Sequence, residues 1–329
     1  MAPNCTHAAP TVPSDAGVAG IGVLLSFIIT AFIALIISAS LVFQEARGHT
    51  AQKRSILRRK VLNSYSDQQI LTGIGIQSVG LAKIDTMAPY HFFIIWMLSL
   101  LSMAVHNASL LVLVHDFKRD WVLRWLRQFL IFVNLVLSSL YGTFILAAVK
   151  DGINDSTFPV ACVWEQTDKS GQTSTGSPAL SYIGTIVVIA GNVVVFVFAT
   201  WYLHSRSQRY YKTVQVVGLL FMTAISIGAI VRVSLLADAF GGNHPIRLSD
   251  GGEAQWSFGQ LLSVGMLLLP LVSVIEILRG EIKCAPPVVD HGDDKARLLG
   301  GDELQSNPQD RTSFQPNPFF GSQTNLFKR

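Results

Sequence analysis

Six runs of apolar residues, near 20–43, 90–115, 125–149, 180–203, 214–237 and 256–278, constrain this chain more than any motif in it. Each is long enough to cross a hydrocarbon core of about 30 Å, which takes roughly 20 helical residues. Lipid offers backbone N–H and C=O groups no partner, so spanning segments are helices or closed barrels. These runs lack the alternation and short period of barrel strands, which leaves helices. The composition agrees, with 50% hydrophobic and 14% charged residues against about a quarter charged in soluble domains. The first run is too long for a cleavable signal peptide and follows a Pro-containing tail without Lys or Arg, so it is expected to stay as a signal anchor.

A seventh segment decides the topology. After the polar Ser66-Asp67-Gln68-Gln69 come about fourteen mostly apolar residues before Lys83, three of them glycines. Lys and Arg accumulate on the cytoplasmic side of short loops. If 67–85 spans, twenty Lys/Arg fall on one side and four on the other; with six spans the division is fourteen to ten. The first division is the one a membrane protein shows. Residues 67–85 reach about 28 Å as a helix, and Ser66 with Gln69 fits a capping box. The expected fold is therefore all-α: a polytopic seven-transmembrane-helix bundle with its N-terminus outside and its C-terminus cytoplasmic. Residues 1–19 form an outer tail, 20–278 the membrane domain and 279–329 a cytoplasmic tail whose Pro, Gly, Asp, Asn and Gln content from Ala285 onward predicts disorder.

Two glycosylation sequons, at Asn4 and Asn154, fall on the outer side of this topology. Cys5 and Cys162 share that side, where a disulfide is permitted; two free thiols are the alternative. The stretches "SDQQILTGIGI" (Ser66–Ile76), "GVAGIGV" (Gly17–Val23) and "WSFGQLLSVGMLLLPLVSVIE" (Trp256–Glu276) resemble a family of fungal seven-span integral membrane proteins with no established activity. The resemblance covers most of residues 15–280. It implies the architecture and a fungal origin, and some members lie near secondary-metabolite genes.

Polar residues at membrane depth are the candidate site, because burial costs free energy unless they find partners. His106 and Asn107 on the third span, Asn134 on the fourth and Asn192 on the fifth fall near one central level. They are expected to form a small-molecule or proton site, with His106 able to titrate near neutral pH, or else interhelical hydrogen bonds of about 0.6–2 kcal/mol per contact. Arg232 in the sixth span is expected to contact an anion in an outward cavity or to pair with Asp238. Gly22, Ser26, Thr30, Ala34 and Ser38 form a small-residue stripe on the first span, and Gly73 and Gly80 serve the second; both read as tight packing. Pro270 is expected to kink the seventh span. Tyr90, Trp125, Trp201 and Trp256 are expected as interfacial anchors.

"KRSILRRK" (Lys53–Lys60) is placed against anionic lipid heads, and with the membrane accounting for these charges no nucleic-acid partner is expected. In the tail, Asp294, Leu298 and Leu299 have the spacing of an acidic dileucine signal, and Asn317-Pro318-Phe319 resembles a peptide bound by endocytic adaptors. Both would direct the chain to the plasma membrane or to endosomal or vacuolar membranes through sorting adaptors. Cys284 is a candidate for acylation. Asp116 and Glu276 lie at span ends, where solvation accounts for them.

The sequence has no phosphate loop, and its eight histidines are scattered without metal-ligand spacing. No cofactor, metal or catalytic residue is assigned, and the carboxylates are not paired at mid-depth as acid catalysis would require. The leading reading is a multi-pass membrane protein with a receptor-like or small-molecule-handling role. The alternative is an accessory enzyme or transporter of a fungal secondary-metabolite pathway.

Overall fold

The computed structural model describes residues 5, 11–47, 53–119, 121–150, 157–164, 178–205, 210–241 and 248–279. All lie in the first of two units, Met1–Val288 and Val289–Arg329. The described residues are helical, and a single bridge between Val12 and Leu248 is the nearest thing to a strand among them. The helices are α1 (Ile21–Ala46), α2 (Lys53–Ala82), α3 (Pro89–Val112), α4 (Val114–Arg119), α5 (Trp121–Lys150), α6 (Pro178–His204), α7 (Tyr211–Leu236), α8 (Phe258–Met266) and α9 (Leu269–Leu278). Short 3-10 turns lie at Val160–Trp164, Asp238–Phe240 and Gly252–Ala254. Among the described residues, α1, α3, α5, α6 and α7 are long and apolar enough to cross a membrane. That is the make-up of a multi-pass membrane protein.

Helix α3 is the axis. Pro89 opens it, where a missing N–H costs no helical bond, and every residue to Val112 except Phe93 is buried. A helix apolar nearly all round belongs in a core. Helices α1, α2, α5, α6 and α7 pack around it. They turn large side chains such as Phe32, Phe129, Val197 and Leu220 outward, which is how a bundle meets lipid.

Helix α2 differs from its expected form. It starts at Lys53 instead of 67 and runs unbroken to Ala82, so Ser66 is interior to the helix and caps nothing. Leu62 and Tyr65 are buried against the bundle, and this packing carries the helix through the polar stretch. At 1.5 Å per residue, α2 is about 45 Å long. Just past one end, Lys83 pairs with Asp15 ahead of α1 (2.7 Å). Near the other end, Arg58 donates to Ser40 (3.1 Å) and Gln44 late in α1, and Arg59 pairs with Asp116 of α4 (2.9 Å). Helix α2 thus lies antiparallel to α1 and α3 for the length of the bundle. We call these the cap end and the arginine end.

The seventh apolar run forms two helices. Pro270 has no N–H to bond the carbonyl of Met266, and the amides of Leu267 and Leu268 reach back three residues to Val264 and Gly265 (both 3.0 Å). Helix α8 packs on α1 and α9 on α2.

At the cap end the segment before α1 lies across the bundle. Cys5 is disulfide-bonded to Cys162, the Ser249 N–H donates to Val12 (2.9 Å), and the Ser14 N–H donates to Asp250 (3.1 Å). The Val160 N–H donates to Met87 (2.9 Å). What the sequence presents as a simple tail is one side of a cap built from three chain segments.

The stripe on α1 is buried at all five positions, and a Cβ on Gly22 would lie 2.7 Å from that of Gln260. On α2, a Cβ on Gly80 would collide with the Tyr141 hydroxyl and Ile95, whereas one on Gly75 meets nothing within 4 Å. Gly80→Ala should therefore cost about 1–3 kcal/mol by overpacking. Gly75→Ala should be neutral or more stable by up to about 1 kcal/mol. Thermal unfolding of the two variants in detergent checks this, and equal behaviour would contradict the packing of α2.

Candidate polar site in the helix bundle

Helix α3 carries Ser99, Ser102, His106 and Ser109 at spacings of three and four, which puts them on one face. Helix α2 presents Ser66, Gln69, Gly73 and Gln77 in the same rhythm, and α5 supplies Asn134, Ser138 and Tyr141. The three faces meet in a buried polar seam.

His106 is 0% exposed. Its Nδ1 lies 3.3 Å from the Ser66 hydroxyl and its Nε2 3.0 Å from that of Ser102. Ser66 is also 3.0 Å from Ser109. Ser109 donates to the His106 carbonyl (2.8 Å), and Ser102 donates to the Gln69 carbonyl (3.1 Å). With those two hydrogens fixed, a neutral imidazole protonated at Nε2 donates to Ser102 and accepts from Ser66 at Nδ1. His106, Ser66, Ser102 and Ser109 each then have a hydrogen-bond partner, and no hydrogen is left for the Ser66–Ser109 contact. The Asn134 amide donates to Ser102 (3.2 Å) and accepts from Gln77. Gln77 also donates to the Gly73 carbonyl (2.9 Å). Tyr141 closes the run by donating to the Gln77 carbonyl (2.7 Å), and Ser99 meets Ser138 at 2.9 Å. Glycine at 73 is required, because a Cβ there would strike the Ser102 hydroxyl.

Asn107 follows His106 and so points about 100° away. Its amide nitrogen lies 3.4 Å from Asn192 of α6, long for an oxygen acceptor, and 3.6 Å from the Met222 sulfur of α7. Its carbonyl oxygen has no hydrogen-bond partner among the described residues. The single cluster expected from sequence is thus two sites on different sides of α3: His106 with Asn134, and Asn107 with Asn192. Arg232 belongs to neither. It is exposed on α7, and among the described residues no ion pair joins it to Asp238.

Other expectations also change. Arg58 and Arg59, placed at the lipid surface by sequence, turn toward partners on α1 and α4, so Asp116 is ion-paired as well as solvated. Arg127 of α5 bonds Asp67 (2.9 Å from Nε) and Asn63 of α2. Tyr90, expected as an interfacial anchor, is buried and donates to Glu253. Trp125, Trp201 and Trp256 are exposed as anchors would be. Asn4, Asn154, Cys284, Asp294, Leu298, Leu299, Asn317, Pro318 and Phe319 lie outside the described residues. Among the described residues no three His, Cys, Asp or Glu side chains group to hold a metal.

The seam serines and Gln77 escaped the sequence reading, although the spacing of Ser99, Ser102, His106 and Ser109 was the signal for them. Compared with protein-family models, curated proteins and solved structures, the chain matches none.

The division of the site is measurable. Asn134→Ala and Ser102→Ala share a hydrogen bond and should couple by about 0.5 kcal/mol or more in a double-mutant cycle. Asn134→Ala and Asn192→Ala share no partner and should add to within about 0.5 kcal/mol. Coupling of the second pair as strong as the first would restore the single cluster.

Proposed function

We propose that the chain is a seven-span integral membrane protein, N-terminus outside and C-terminal tail cytoplasmic, with a receptor-like role in which a small molecule shifts the helices around α3. Helix α2 lying alongside α1 and α3 supports the seventh span, as does the twenty-to-four division of Lys and Arg. Exposed Trp256 and Phe258 at the cap end, and Trp125, Trp201 and Tyr210 at the arginine end, supply the aromatic belts that membrane interfaces favour. The cap end then faces outward.

One observation carries the receptor-like reading. Consecutive residues of α3, the most buried helix, engage different helices, His106 with α2 and, through Ser102, with Asn134 of α5, and Asn107 with α6 and α7. Both imidazole nitrogens of His106 are met, although the side-chain carbonyl oxygens of Gln69 and Gln77 in the same seam have no partner among the described residues. Asn107 leaves a buried carbonyl oxygen without a donor, and such an oxygen is where a ligand N–H or O–H would be bound most favourably. His106 fixes the frame and Asn107 with Asn192 contacts the ligand.

The broken seventh element favours transport as the second reading, since interrupted helices mark substrate paths in many transporters. Comparing the source organism with and without the protein, by untargeted metabolite profiling and by its responses, separates the classes. A changed response with unchanged metabolites is expected; altered export would favour a transporter and an accumulated precursor a pathway enzyme. Asn107→Ala and Asn192→Ala should reach normal folded levels yet lose the response, while His106→Ala should lower the folded level itself. Full response in both Asn variants would remove the support for this site.

A further inference from the structure

Helices α5 and α6 run antiparallel, and three contacts fix their register. Trp125 lies against His204 (ring centroids 5.2 Å apart) and Phe132 against Phe196 (6.3 Å), while a Cβ on Gly142 would lie 2.5 Å from Ile189. Phe196, Thr200 and His204 are four residues apart and so share one face of α6. Between Trp125 and Phe132 on α5, the inward residue is Gln128, which is 6% exposed, and its neighbour Phe129 turns outward. Gln128 and Thr200 therefore stand at one level of the α5–α6 seam, with a ring contact on either side. Yet neither amide atom of Gln128 nor the Thr200 hydroxyl has a hydrogen-bond partner among the described residues. One turn nearer the arginine end, on the same face of α5, the Arg124 Nε is also buried without a partner. Among the described residues no carboxylate pairs with this guanidinium.

Buried polar groups left unmet cost free energy, and three of them on one seam mark a place that an added group fills. The set is rich in donors, from the Gln128 amide, the Thr200 hydroxyl and the Arg124 guanidinium. It carries a positive charge and no negative one. Arg124 opens the apolar stretch of α5, and Gln128 lies one turn, about 6 Å, inside it, so the seam sits at the edge of the hydrocarbon. We propose that it binds an anionic phospholipid whose headgroup carries hydroxyls, of which phosphatidylinositol is the simplest probe. The phosphate accepts from Arg124, from the Gln128 amide and from Thr200, and a headgroup hydroxyl donates to the Gln128 carbonyl. Each unmet group then has a partner, and the bonds from guanidinium to phosphate are charge-assisted. Exposed Phe129, Phe132 and Val197 continue the seam toward the acyl chains, and exposed Trp125 and Trp201 lie at headgroup level. The site shares no residue with the Asn107–Asn192 pair.

Titration of the purified full-length protein in detergent tests this, with phosphatidylinositol, phosphatidylcholine or inorganic phosphate as probe, read by native mass spectrometry and thermal unfolding. The native chain should bind phosphatidylinositol about fivefold or more tightly than phosphatidylcholine and unfold at a higher temperature when it is present. Arg124→Ala and the nearly isosteric Thr200→Val should each lose most of that preference. Arg232→Ala, which removes an exposed arginine near the cap end, should retain it. In lipid-free detergent Gln128→Leu should be at least as stable as the native chain, because it removes a buried amide that nothing meets, and phosphatidylinositol should no longer stabilise it. Equal binding of the two lipids, a preference that survives in Arg124→Ala and Thr200→Val, or its loss in Arg232→Ala would each overturn the proposal. So would a less stable Gln128→Leu in lipid-free detergent, or the same stabilisation by inorganic phosphate alone.

Discussion

A polar side chain inside this bundle has only other helices to bond with, and that constraint organises the structure. His106 is satisfied only because α2 brings Ser66 and the Gln69 carbonyl to one side of α3, while α5 fixes Ser102 through Asn134. Remove α2 from the bundle and His106, Ser102, Asn134 and Tyr141 lose partners at once. In water such losses are partly recovered by solvent; in lipid they are not. The seam is therefore what holds the least apolar helix against the most buried one.

The same reasoning separates frame from candidate ligand contact. On the α2 and α5 side of α3, both nitrogens of a neutral imidazole are met, while the Gln69 and Gln77 side-chain oxygens have no partner among the described residues. On the α6 and α7 side the Asn107 amide nitrogen makes a long contact with Asn192 and one with the Met222 sulfur, and its carbonyl oxygen is unmet among the described residues. A residue pair one position apart in sequence thus has opposite characters, because a helix turns about 100° per residue.

Much of the architecture was legible in the sequence, since span length and apolar runs are direct consequences of the bilayer. The ranges read for α1, α5, α6 and α7 fall within a few residues of the helices. What was not legible depended on partners. Ser66 looked like a helix start because Ser, Asp and Gln favour helix ends, but burial of Leu62 and Tyr65 carried the helix through. Asn107 and Asn134 share a depth but not a face, and depth was all that span boundaries could supply. Glu253 gave no signal at all: it lies in a glycine-rich loop, and its partners at Tyr90 and His91 are more than 160 residues earlier.

The account rests on α2 crossing the bilayer with the rest of the bundle. Lys60 and Asp85 are exposed near opposite ends of this element, and labelling of Lys60→Cys and Asp85→Cys with a membrane-impermeant maleimide, each in a Cys284→Ser background, is the most direct measurement. The account predicts that Asp85→Cys reacts in intact cells and Lys60→Cys only after permeabilisation. Reaction of both from the same side would contradict it.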